Sequence, residues 1–237
     1  GNAATFPVIL IDNPNNVYMR NDLIIEDTLF FNSGMLMLNG HDLHITNSHP
    51  NAIQGYDEDS YVVTGDSNQG GYLVRYGIGK DDVDFPIGRD STSYTPVRMS
   101  NKGTVDNYWV RSFKGVYENG DSGVQHNDHG TGQTWEIKED VSGGSNLTLA
   151  MQHNQSDEGA SFNSANQFLA RYVGTKNNNA GDTISETEWD LVSFANTESG
   201  SSNGYITTGS AISGAVVTTR SGVTDLGFFT KASYFEG

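Results

Sequence analysis

The chain is 237 residues long, carries 13 Lys and Arg against 29 Asp and Glu for a formal charge of −16, and has no cysteine. A surface this acidic repels phosphate backbones and argues against nucleic acid as a partner. Zero cysteine excludes disulfides, thiolate catalysis and any Cys-based zinc site, and no apolar run approaches the ~18 residues of a membrane helix.

Helical periodicity is almost absent. Short β-rich runs bounded by Gly, Asn, Asp and Ser recur from end to end, as an all-β fold requires. Phe6–Ile11 is a first apolar strand, and Asp12–Asn16 a turn. Residues 21–26, 29–31, 35–38 and 43–46 follow as short strands, with Asn39-Gly40 as a tight-turn signal. Runs this short and regular predict a small β-helical or extra-sheet layer over residues 15–80, although the repeat is too uneven to establish a solenoid.

Residues 61–64 and 71–78 come next. In the second, Tyr72, Val74, Tyr76 and Ile78 share one face and Leu73 and Arg75 the other, because side chains alternate along a strand. Residues 83–87 and 94–100 are strands around a Phe-Pro-Ile-Gly turn, and 108–116 is a longer strand. Residues 134–138 put Trp135 and Ile137 inward against Thr134, Glu136 and Lys138. Residues 146–153 alternate Leu147, Leu149 and Met151 against polar neighbours. Strands at 167–173, 188–194, 205–208, 215–220 and 227–235 complete a single all-β module over 1–237. Its expected form is a jelly-roll-like β-sandwich, with a sub-seam, if any, near 80–84. The chain opens on Gly1-Asn2 without Met, which reads as a processed or trimmed start from which any export signal would be absent.

Three ordered motifs carry a resemblance: Gly34-Met-Leu-Met-Leu-Asn-Gly-His-Asp-Leu-His-Ile45; Phe85-Pro-Ile-Gly88 followed by Tyr94-Thr-Pro-Val97; and Gln133-Thr-Trp-Glu-Ile137 followed by Leu147-Thr-Leu149 and Trp189. Over residues 34–194 the chain resembles β-rich modules of secreted and cell-surface, adhesin-like proteins of the Bacteroidota, many of them type IX secretion substrates. The resemblance implies a secreted or cell-surface module beside other domains of a larger chain. It carries over no catalytic residue.

Candidate chemistry is sparse. The acidic turns Asp57-Glu-Asp59, Asp81-Asp82 with Asp84, and Glu118 to Asp121 offer oxygen donors for a structural calcium, which takes 6–8 oxygens. The metal-ligand candidates are therefore Asp81, Asp82, Asp84 and Asp121, against the reading of solvated loop charge. His126-Asn-Asp-His129, with His153 approaching in space, is a weaker divalent site. Glu136, Glu139 and Asp140 lie near Trp135, but chance pairing among 29 acids explains them, and no Gly-x-Ser-x-Gly elbow is present. Aromatic rings on a rigid sheet suit glycan stacking: Trp109 leads, with Tyr72 and Tyr76, then Tyr56, Tyr61, Tyr205 and Trp189, whereas Trp135 reads as core. The expected role is a non-enzymatic surface module binding glycan or protein. The alternatives are a carbohydrate-binding module of a polysaccharide-degrading enzyme and a structural spacer.

Overall fold

A computed structural model describes residues 3–126, 130–164, 167–175, 187–190, 202–203 and 215–233. The chain begins as a stack of turns. β1 (Ala4–Asp12) and β2 (Val17–Tyr18) make the first, and β3 (Leu23–Ser33) and β4 (Leu36–Met37) the second. β5 (Leu43–Ile45), β6 (Ile53–Gln54) and β7 (Val62–Val63) make the third, and β8 (Leu73–Ile78), β9 (Val83–Phe85) and β10 (Ile87–Asp90) the fourth. Equivalent strands of successive turns pair in parallel: β1 with β3, β3 with β5, β5 with β8 on one side, and β2 with β4, β4 with β7, β7 with β10 on the other. The expected β-helical layer is thus a short parallel solenoid. Its ladders start at residues 4, 23, 43 and 73, and at 17, 36, 62 and 87.

Parallel stacking in register puts like residues over like. Leu23, Leu43 and Leu73 form one inward column, and Val17, Leu36, Val62 and Ile87 another. Phe6, Ile25 and Ile45 form a third column, in which the next member is Arg75. Arg75 is fully buried, with Nη1 donating to Asp84 O (3.0 Å) and Nη2 to His49 O (2.9 Å). Burial pulls its guanidinium down to about 10.

From β11 (Ser93–Tyr94) onward the pairing turns antiparallel. β12 (Val97–Asn101), β13 (Asp106–Lys114), β14 (Gln133–Glu139), β15 (Leu147–Asn154), β16 (Gln167–Thr175), β17 (Thr187–Trp189), β18 (Ser202–Asn203), β19 (Ala215–Val223) and β20 (Gly227–Ser233) follow. The first sheet runs β1-β3-β5-β8-β13-β14-β20-β16-β17, with β6 beside β3, so solenoid and sandwich share it. The second runs β11-β10-β7-β4-β2 and the third β18-β19-β15-β12-β9. One continuous core passes from Ile25 and Leu43 to Trp135, Met151 and Phe229.

The Phe-Pro-Ile-Gly turn is where the chain changes sheet. Pro86 has no N–H to give a ladder, so pairing breaks there. β9 before it pairs antiparallel with β12, and β10 after it pairs parallel with β7. A Cβ on Gly88 would stand 2.2 Å from Ser93 O and 2.5 Å from the Tyr61 ring. Thr95 N–H donates to Ile87 O (2.9 Å), and Trp135 Nε1 donates to Thr95 O (2.9 Å). The second motif and the Trp135 motif therefore lock one another, and their role is architectural.

Two alternations depart from expectation. Ile78 is buried instead of sharing the outer face of Tyr72 and Tyr76, because Gly77 at φ +65° interrupts the strand opposite a register shift in β13. Thr134 and Glu136 are also buried: Thr134 Oγ1 donates to Gly115 O (2.7 Å), and Glu136 is covered by Arg111 and Tyr72.

Candidate functional site

The outer face of the first sheet gathers side chains from four strands. His44 on β5, Val74 on β8, Trp109 on β13 and Lys138 on β14 are direct cross-strand neighbours, because each strand presents alternate residues to this face. Tyr72, Tyr76 and Trp109, three residues singled out from sequence, come together there, each half-buried. The Trp109 ring meets His44 edge-on at 5.2 Å and Tyr72 at 6.0 Å, and His44 Nδ1 lies 3.2 Å from the Tyr76 hydroxyl.

A polar rim fixes the rings. Trp109 Nε1 donates to Asp140 Oδ1 (2.6 Å), and Asp140 Oδ2 accepts from Asn107 (2.7 Å). Tyr72 donates to Glu136 Oε2 (2.8 Å), which also accepts from Arg111 Nε (2.6 Å), while Lys138 Nζ reaches Glu136 Oε1 (2.8 Å). Arg111 and Lys138 both lie over the Tyr72 ring, at 4.8 and 4.5 Å from its centre.

The charges follow from this packing. Burial pushes Glu136 up, but the hydrogen bond from Lys138, the charge of Arg111 and the bonds from Tyr72 and Arg111 outweigh it and hold Glu136 below the usual carboxylate range. Burial lowers His44 against the pull of Asp42, Asp22 and Asp140, so its imidazole favours the neutral form. Burial also raises the Tyr72 hydroxyl, and the Tyr76 hydroxyl with help from Asp140. The result is a rigid, uncharged ring cluster with bound charges at its edge. Such a face can stack a flat apolar surface and hydrogen-bond hydroxyls around it.

Other sequence candidates fall elsewhere. Tyr61 is core, its hydroxyl donating to Asp90 O (2.7 Å), and Tyr56 donates to Asp84 Oδ2 (2.8 Å). Trp189 donates to Tyr117 O (3.0 Å) beside Tyr172. Tyr205 and residues 127–129 lie outside the described residues.

Asp84 does not sit in an open acidic turn. It is buried on β9, where Arg98 holds both carboxylate oxygens at 2.6 and 2.8 Å. Asp81, Asp82 and Asp121 are exposed. Among the described residues no group of three or more His, Asp or Glu is placed to hold a metal ion. Glu139 and Asp140 are likewise engaged, Glu139 by Gly143 N–H (2.6 Å) and the Ser145 hydroxyl.

One cluster went unnoticed in the sequence. Lys231, fully buried, donates through Nζ to Val216 O (2.8 Å) and lies 2.9 Å from His153 Nδ1, whose Nε2 is 3.2 Å from Glu158. Burial, then the Lys231 charge, pulls His153 down to about 2. Burial holds the Lys231 amine well below its ordinary value, against the Glu158 charge. No local spacing marks the cluster, because Lys231 lies 78 residues along the chain from His153.

No protein-family model, curated protein or solved structure matches this chain. Among the described residues no helix is long and apolar enough to cross a membrane.

Proposed function

We propose that this chain is a non-enzymatic module of a secreted or cell-surface protein, adhesin-like in action, that binds a glycan on the outer face of its first sheet. The observation that carries the reading is the convergence of Tyr72, Tyr76 and Trp109 with His44 into one half-buried aromatic face rimmed by Asp140, Glu136 and Lys138. Rings pinned by edge contacts and hydrogen bonds lose little freedom when a ligand lands on them, which favours binding by a preformed surface. The same amphipathic surface could meet a protein, and the experiment separates the two.

The test is binding to a panel of polysaccharides and cell-surface glycans, in calcium and in chelator. Saturable binding that weakens at least about tenfold in Trp109→Ala, a loss of ~1.4 kcal/mol, supports the reading. Trp135→Phe serves as a control for general disturbance of the core. Chelator is expected to leave binding unchanged, because Arg98 and Tyr56 occupy the Asp84 carboxylate. Absence of binding to every glycan sinks the glycan reading and leaves protein contact or a spacer role.

A further inference from the structure

The first turn of the solenoid ends on exposed apolar surface. Phe6 is 46% exposed, Val8 47%, Leu10 60% and Tyr18 59%. Their positions in the ladder explain why this is unusual. Phe6 stands beside Ile25, Ile9 beside Leu29 and Ile11 beside Phe31, the same columns that are buried one turn later. Phe6 and Ile9 are therefore inward residues of a core that has not been closed. Together with Ala4, Ile11, Val17 and Met19 they line a depression of about 300 Å³ at the end of the stack.

The backbone is open at the same place. β1 pairs with β3 on one side, and among the described residues no strand pairs with its other side. The free edge of β1, apolar at Phe6, Val8 and Leu10, is a template for another strand, with Pro7 as the one residue that has no N–H to donate to it.

The stack itself specifies what fits. At each step the first residue of a strand donates to the residue just before the next strand: Ala4 N–H to Asp22 O (3.0 Å), Leu23 N–H to Asp42 O (3.0 Å), Leu43 N–H to Tyr72 O (2.9 Å). One step earlier, the acceptor in this series is the carbonyl of Ala3. The second ladder repeats in the same way, Val17 N–H to Met35 O, Leu36 N–H to Tyr61 O and Val62 N–H to Pro86 O. Each turn of a solenoid buries its neighbour's face, and a turn with one neighbour leaves half of its apolar surface wet.

We propose that this end docks one further parallel rung: an extended segment with aliphatic residues at alternate positions, running parallel to β1 and leading into Ala4 as the preceding turn of the same solenoid. A second copy fits worse on two grounds. Two copies meeting at this end about a two-fold axis would set β1 antiparallel to itself, against the parallel pairing of every rung below it. Each copy also carries a formal charge of −16, so self-association works against electrostatic repulsion. A covalently preceding rung meets neither obstacle and pays only the ordering of its own chain.

Hydrogen exchange and sedimentation velocity of the chain, with and without an added rung, decide the matter. The added rung is a tandem copy of residues 4–22 placed directly before Ala4, which matches the step from Ala4 to Leu23. The expected result is a monomer whose β1 amides exchange faster than those of β5, and whose β1 exchange slows by about tenfold or more once the rung is added. The same addition carrying Phe6→Ser, Ile9→Ser and Ile11→Ser in the copy alone should leave β1 as it was. A dimer whose β1 is already protected, and which Phe6→Lys dissociates, would overturn the proposal in favour of a second copy. A monomer with β1 already as slow as β5, or a β1 unaffected by the apolar rung, would overturn it in favour of a self-sufficient end.

Discussion

The parallel stack and the antiparallel sandwich share one core but fill it by different means. In the stack, like residues sit over like: leucine over leucine at 23, 43 and 73, isoleucine over isoleucine at 25 and 45. In the sandwich, buried polar groups tie particular strands together. Arg220 grips Asp190 at 2.8 and 2.6 Å, Lys231 bonds His153, and Arg89 of the last stack turn reaches across to Asp157 (2.8 Å) and Gln133 (3.2 Å). A column of interchangeable aliphatics stabilises by area and tolerates exchange of volume. A hydrogen-bonded network depends on every partner, since removing one leaves another buried and unsatisfied. The difference teaches that the stack repeats one local solution while the sandwich depends on particular partners.

The comparison is sharpest where the two regions meet. Trp135→Ala removes a fully buried indole and orphans Thr95 O, and should destabilise by about 3–5 kcal/mol in urea unfolding. A loss below about 1 kcal/mol would mean that the motif around Thr95 does not hold the junction. Within the stack, Ile45→Ala should cost about 2–5 kcal/mol, while Phe6→Ser, in an equivalent column at the open end, should move stability by no more than about 0.5 kcal/mol. Equal losses at the two sites would erase the distinction between closed and open rungs.

A pH series probes the sandwich network. Unfolded His153 takes up a proton near its ordinary 6.5, whereas the folded residue resists protonation to about 2. The unfolded state binds more protons within that window, so stability should fall as pH drops from 6.5 toward 2. Lys231 acts with the same sign in the alkaline range: its folded value is depressed, so stability falls as pH drops below 10.5. His153→Gln should flatten the acid limb of the urea midpoint, and an unchanged limb would place its origin in other groups.

Much of the architecture was legible because alternation is local. Leu147, Leu149 and Met151 face the core as their spacing requires, and Tyr72, Tyr76 and Trp109 face outward together. Parallel pairing was not legible, since a short alternating strand reads the same in either direction. The insertion between Ile45 and Leu73 also stretches one step and hides the period. Asp84 looked like a loop acid because its partner, Arg98, lies on another strand. His44, Asp140 and Glu136 join the aromatic face through cross-strand neighbours distant in sequence, which no local pattern marks.

Arg75 gives the stack a direction. A ladder of identical aliphatic turns has no natural length, and nothing in its geometry says where to stop. The guanidinium in the column of Ile25 and Ile45 donates to two backbone carbonyls, His49 O and Asp84 O, and puts a charge where a further aliphatic turn would need an apolar neighbour. It breaks the aliphatic column at the end that meets the sandwich, as a chain stopper breaks a polymer. At that end the sandwich covers the stack directly, through β13 pairing antiparallel with β8.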